Sequence, residues 1–297
     1  MKSYVKNTLI LSICIVVSKL IGAIYKIMLS NVLGTQGMGI FQLVFPVYSL
    51  VLVVITGGMP IYIAQRVAYF RAKKQKNQIA KLLKNCFVLC LILAILFATI
   101  FVVFCKQIAK WQGNDFAYLG YIIVGISIIF SAVTCVIKGY FIGVENVTPN
   151  ALGGILENLC KFLFGILFSY LLFDYGLEYA VAGGFVGVLI GEIVTFFYLL
   201  IKYNQNKFKC KSYISYSTIK NIFVQYLPLS LASIILPVSA CIDSFLVVNL
   251  LSTSTTVEQA TSLFGIATGM ISPIIHFPVM LCSTIAVAFL PTLTYAI

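Results

Sequence analysis

The chain has 297 residues, 61% of them hydrophobic and only 9% charged, with a formal charge of +12 and a mean hydropathy of +1.06. Soluble domains run at roughly 45–50% apolar and about 25% charged, so this balance excludes an ordinary soluble protein and reads as an integral membrane protein. The basic excess does not point to nucleic acid, because fourteen of the twenty Lys and Arg residues lie in alternate connections between apolar segments.

Windows of membrane-spanning length predict eight helices, at residues 8–29, 40–63, 86–105, 117–143, 151–173, 180–202, 222–251 and 264–291. The fold class expected is an all-α polytopic membrane helix bundle. The first segment carries Lys19 near its middle and Lys26 beyond it. A cation at that depth costs roughly 2.5–3.5 kcal/mol, so it ordinarily faces a cavity or a partner. Seven residues rise about 10 Å and return to within about 20° of the same face, so the two lysines share one flank. This segment is no cleaved signal peptide: it is too long, is charged inside, and no small-residue cleavage pattern follows it.

The second segment holds Pro46 and Pro60 and ends near Arg66. The fourth ends with Lys138, Gly139 and Gly143, and the fifth carries Glu157 and Lys161. The sixth sets Gly183, Gly187 and Gly191 at four-residue spacing, followed by Glu192. Pro228, Pro237 and Asp243 lie in the seventh; Pro273, His276, Pro278 and Pro291 lie in the eighth. Small residues on one face let helices approach closely, so the glycines read as packing seams. Proline removes a backbone donor, and its concentration in three segments predicts hinged or broken helices.

Between the segments, Lys and Arg cluster at Lys2 and Lys6, at Arg66, Arg71, Lys73, Lys74, Lys76, Lys81 and Lys84, and at Lys202, Lys207, Lys209, Lys211 and Lys220. The intervening loops carry only Lys106 and Lys110 beside Asp115, Asp174, Glu178 and Glu258. That asymmetry places the N-terminus in the cytoplasm, with attraction to anionic lipid headgroups as a secondary effect. Of nine cysteines, all but Cys210 lie in or at the ends of apolar segments. They read as packing residues, since no Cys/His cluster has ligand spacing. No cofactor or metal is expected.

A weak internal repeat links the second and eighth segments. Phe45-Pro46-Val47 is followed by Pro60, and Phe277-Pro278-Val279 by Pro291; each follows a glycine-rich entry, Gly37-Met38-Gly39-Ile40 and Gly265-Ile266-Ala267-Thr268-Gly269. Repeated halves are a transporter trait. The expected division is a first lobe over residues 1–221 and the start of a second over 222–297, with the chain ending at Ile297 soon after the second half begins.

The charges within segments admit two readings. Glu157 and Lys161, four apart, can pair on one helix face, and with Glu192 and Asp243 can form structural pairs or answer Lys19 and Lys26 across the bundle. The same acids can instead serve as ion-coupling sites. Lys138 and Arg66, near helix ends, can snorkel to the headgroups. A cavity lined by Lys19, Lys26 and Arg66 suits a phosphate or pyrophosphate. No nucleophile elbow, P-loop, dinucleotide fingerprint or paired-carboxylate site is present, so no enzyme is expected.

The run Leu33 to Ala64 (LGTQGMGIFQLVFPVYSLVLVVITGGMPIYIA), with Lys138 to Phe162 and Leu263 to Thr294, resembles the bacterial polysaccharide and lipid II flippases. The branch is the stage V sporulation protein B type, MurJ-like, within the multidrug/oligosaccharide-lipid/polysaccharide exporter superfamily. The resemblance implies fourteen helices in two lobes around a cavity, of which about eight are present here. It implies flipping of an undecaprenyl-pyrophosphate-linked oligosaccharide in the bacterial cytoplasmic membrane, and cations at the positions of Lys19, Lys26 and Arg66. The family often adds a cation in the eighth helix; this chain has no Lys or Arg after Lys220. The partners expected are the lipid-linked oligosaccharide, membrane lipids, and the missing C-terminal half or another chain. The competing expectations are a cation-coupled multidrug antiporter of the same superfamily and an inactive truncated fragment.

Overall fold

The computed structural model describes residues 2–206 and 216–275, together with 278, 279 and 282, and the side chains of residues 13, 14, 16–205, 219–275, 278, 279 and 282. The described elements are helical throughout: α1 (Lys2–Thr56), α2 (Met59–Ala72), α3 (Lys76–Trp111), α4 (Tyr118–Gly143), α5 (Thr148–Leu171), α6 (Leu177–Asn206), α7 (Tyr216–Leu251) and α8 (Val257–Phe264). A π-helix, Gly265–Ile271, continues from α8. Six stretches are long and apolar enough to cross a membrane, and the first, Val16–Ala72, runs to 57 residues. At 1.5 Å per residue that length is about 85 Å, enough for two crossings joined end to end. The chain is thus a multi-pass, all-α membrane protein. Segments three to seven match expectation, while residues 276, 277, 280, 281 and 283–291 of the eighth, His276, Phe277 and Pro291 among them, lie outside the described residues.

Between the first two segments there is no long loop: two helices meet in a kink at a single non-helical residue. Gly34 has φ 67 and ψ −172, a left-handed backbone that glycine enters without a steric cost. The prolines do not break the chain where they were expected to. Pro46, Pro228 and Pro237 sit within unbroken helix. The second segment divides at Gly57-Gly58, which puts Pro60 in the first turn of α2, where its missing donor is not needed. There Gly58 meets Leu229, Ser230 and Tyr226 of α7, and its N–H donates to Ser230 Oγ at 3.1 Å.

The glycine seams behave as expected. Gly139 and Gly143 of α4 lie against Pro60, Ile63 and Val67 of α2, while Gly183, Gly187 and Gly191 of α6 run along Phe168, Gly165, Lys161 and Glu157 of α5. Apolar side chains point outward as well as inward: Ile92, Val103, Leu163, Leu231 and Leu236 are all more than half exposed. That is the surface a bilayer solvates, not water.

The directions of α3 and α7 define two ends. Both start where the basic 64–85 and 202–221 connections lie and finish together, where Asn249 Nδ2 donates to the Trp111 carbonyl at 2.7 Å. Exposed Trp111, Phe116, Tyr170, Phe173 and Tyr175 collect at that far end, as aromatics do at a membrane interface.

Candidate transport site: buried charges, a polar latch and a basic cleft

The inner stripe of α1 fixes where its lysines stand. Ser18, Gly22, Tyr25 and Leu29 repeat at helical spacing and pack on α5 and α6. Ser18 Oγ donates to the Gly154 carbonyl at 3.1 Å and accepts from Asn158 Nδ2 at 2.7 Å. Tyr25 donates to the Gly184 carbonyl at 3.1 Å. Lys19 and Lys26 fall about a quarter turn from this stripe. Both are half-buried, and the Lys26 ammonium stands over the Phe45 ring at 5.3 Å. Phe45 belongs to an aromatic ladder, Phe41, Phe45 and Tyr48, which continues to Phe185 of α6 by a stack with centroids 4.3 Å apart.

Four other charges condense between α4, α5 and α6. Lys161 Nζ lies 2.6 Å from Glu157 Oε1, Lys138 Nζ is 3.4 Å from Glu157 Oε2, and Lys161 Nζ is 3.9 Å from Glu192 Oε1. Two ammonium groups and two carboxylates cancel. Burial makes that cancellation necessary, since an unpaired charge there carries a penalty of several kcal/mol. The i,i+4 spacing foretold the Glu157–Lys161 contact. It did not foretell Lys138, which turns inward to Glu157 instead of snorkelling outward. Glu192 answers Lys161. Asp243 stays apart from the cluster, exposed on α7.

At the aromatic end, neutral groups close the bundle. Gln112, fully buried, donates through Nε2 to the Leu43 carbonyl at 2.9 Å and to Ser244 Oγ at 3.1 Å, while Tyr121 donates to its Oε1. Asn114 Nδ2 donates to Thr261 Oγ1 at 3.0 Å. Gln42 Nε2 reaches the Thr268 carbonyl at 3.0 Å, inside the π-helix. The two glycine-rich entries paired by the internal repeat meet here. Gly39 lies directly against the Thr261 backbone, Gly265 against Gly39 and the Thr35 carbonyl, and Gly269 against Met38 and Gln42. A Cβ at Gly39 or Gly265 would overlap backbone atoms. Gln112, Asn114 and Thr261 fall between the apolar segments expected from sequence, where the adjacent Gln112-Gly113-Asn114 is the local signal.

Arg66 occupies the opposite, basic end. Its Nη2 donates to Gln225 Oε1 of α7 and its guanidinium lies 5.8 Å from the Tyr62 ring centroid. It lines a cleft of about 190 Å³ between α2, α3 and α7. Arg71 nearby donates to the Val144 carbonyl at 2.6 Å and sits 3.9 Å from Glu145.

Residues 4–294 match the family model described as "Polysaccharide biosynthesis protein". The stage V sporulation protein B of Bacillus subtilis (strain 168) is 24% identical over 208 residues, 69% of this chain and 40% of that protein. The lipid II flippase MurJ of the same organism is 23% identical over 214 residues, 68% of this chain and 39% of that protein. The chain thus spans about two fifths of the length of both curated relatives. Among solved structures, the MATE multidrug transporter DinF-BH superposes with a TM-score of 0.73 at 15% identity, over 97% of this chain and 64% of that one. At that identity the likeness shows the fold, in which a helix bundle of transporter type recurs. With nearly its whole length matched, the chain belongs to the polysaccharide biosynthesis protein family.

Proposed function

We propose that the intact protein flips an undecaprenyl-pyrophosphate-linked oligosaccharide, lipid II or a related polysaccharide precursor, across the cytoplasmic membrane for cell-envelope synthesis. In this reading the N-terminus is cytoplasmic, residues 1–221 form the first transporter lobe, and residues 222–297 begin the second. The observation that carries it is Lys26. It is a half-buried ammonium inside an apolar helix, it stands over Phe45, and it makes no ion pair among the described residues. The lobe's buried acids, Glu157 and Glu192, are already paired with Lys138 and Lys161. Local positive charge on the flank of α1 therefore favours an anionic headgroup.

Lys19 and Lys26 would receive the pyrophosphate as point charges, with Arg66 as a third cation nearer the basic end. The latch of Gln112, Asn114, Thr261 and the facing glycines would seal the outer side, and its release would open it, as alternating access requires. Lys19→Ala/Lys26→Ala in an intact copy is expected to lower translocation of labelled lipid-linked precursor about tenfold or more, the worth of one lost charged hydrogen bond or two. Normal translocation by that variant would overturn the assignment.

The charged cluster supports a second reading, a cation-coupled multidrug antiporter in which Glu157 and Glu192 exchange protons or sodium. It expects drug resistance in expressing cells, with no dependence on Lys19 or Lys26.

A further inference from the structure

The cleft between α2, α3 and α7 is built differently from the rest of the surface. Its polar lining is Arg66 of α2, Gln78 and Lys81 of α3, and Asn221 and Gln225 of α7, with Tyr62 forming one wall. Among the described residues no carboxylate lines it. Arg71, Lys73, Lys74, Lys76 and Lys84 follow or flank the lining residues in sequence, and Arg71 lies 3.9 Å from Glu145. Two cations and three side-chain amides converging without an acid make a donor-rich hollow.

Arg66 is oriented within it. Gln225 accepts one of its N–H groups and Tyr62 lies beneath its plane. A guanidinium has five N–H donors in a planar fork suited to a phosphate's oxygens. The same helices carry exposed Val224 and Phe223 of α7 and Tyr69 of α2, close in sequence to the lining residues, apolar surface of the sort that acyl chains cover. Basic pockets between membrane helices at the cytoplasmic face take anionic headgroups.

We propose that this cleft binds a phosphate ester, either the headgroup of an anionic bilayer lipid or a soluble phosphate, and so ties α7 to α2 and α3. Because its walls come from both sides of residue 221, occupancy stabilises the observed docking of α7 on the first lobe. The inference needs no flippase activity. It shares only Arg66 with the transport reading, so its test changes other residues.

The intact protein is placed in nanodiscs of phosphatidylcholine with increasing phosphatidylglycerol, and retained lipid is counted by native mass spectrometry. Wild type is expected to retain phosphatidylglycerol selectively. Lys81→Gln and Gln225→Glu are each expected to weaken retention about fivefold, the effect of one charge at a membrane surface. A parallel arm titrates inorganic phosphate into phosphatidylcholine discs and follows thermal stability. Stabilisation that both variants abolish would identify the soluble anion as the ligand. Raised salt should weaken retention by wild type, a check that needs no variant. Equal retention by wild type and both variants, with no phosphate response, would overturn the proposal. Loss of precursor translocation with retention intact would instead count against the transport reading alone.

Discussion

Lys138 and Lys161 lie between α4, α5 and α6 against Glu157 and Glu192, whereas Lys26 stands on the flank of α1 beside an aromatic ladder, with Lys19 seven residues earlier on the same flank. All four are lysines within apolar helices. The first pair is answered by acids on neighbouring helices, so its charge is consumed inside the lobe. Lys26 is met by the face of Phe45, which attracts a cation without neutralising it. The contrast teaches that depth in a membrane helix marks a lysine as needing a partner, and that the partner decides whether its charge remains for a ligand.

Removing the acid at the centre of the cluster should break this comparison most violently. Glu157→Gln takes away both of the shortest ion pairs and leaves two buried ammonium groups sharing Glu192. A loss of about 3–5 kcal/mol is expected, read as a lower unfolding temperature in detergent. An unchanged temperature would mean the cluster is not a stabilising network. The apolar replacement of all four, Lys138→Met/Glu157→Leu/Lys161→Met/Glu192→Leu, sharpens the same point. Stability should return to wild type or exceed it by roughly 1–4 kcal/mol, with precursor translocation retained. Abolished transport in that stable variant would favour the antiporter reading.

A smaller effect is expected at the latch. Gln112→Ala removes the amide donor shared by the Leu43 carbonyl and Ser244 Oγ and the acceptor of the Tyr121 hydroxyl in a buried site, at about 1–3 kcal/mol, and should speed hydrogen exchange across residues 257–271. Smallest of all is the stability effect of the α1 lysines. Lys19→Ala/Lys26→Ala forfeits a cation–π contact of about 0.5–1 kcal/mol, yet the same variant should lose translocation. If it melts like the Glu157 variant, the two pairs of lysines are not different in kind.

Much of the fold was legible in residue order because the bilayer imposes it. Helices three to seven follow from runs of apolar residues of fixed length. The Glu157–Lys161 contact and the glycine seams follow from helical periodicity, which sets neighbours three and four apart on one face. What was not legible involved distant segments. Lys138 looked like a snorkelling end residue, since nothing in the order of residues reports that α4 and α5 cross where Glu157 waits. Arg66 was grouped with Lys19 and Lys26 by charge; its neighbours are instead Gln225 and Tyr62. Prolines suggested the breaks, but glycines made them, because the bend at Gly34 needs a positive φ and the one at Gly58 needs room for α7.

By itself, then, the sequence determined a multi-pass α-helical membrane protein with two lysines on one flank of its first helix and basic connections on one side. Composition, apolar length and helical period are local properties, and the solvent enforces them. Only the tertiary structure decided which charges cancel. It also decided that Gly39 and Gly265 face each other in a polar latch, with Gly269 against Met38 and Gln42, and that Arg66 belongs to a cleft shared with α7. Those outcomes depend on which helix faces cross at a few ångströms, a distance that no count along the chain contains.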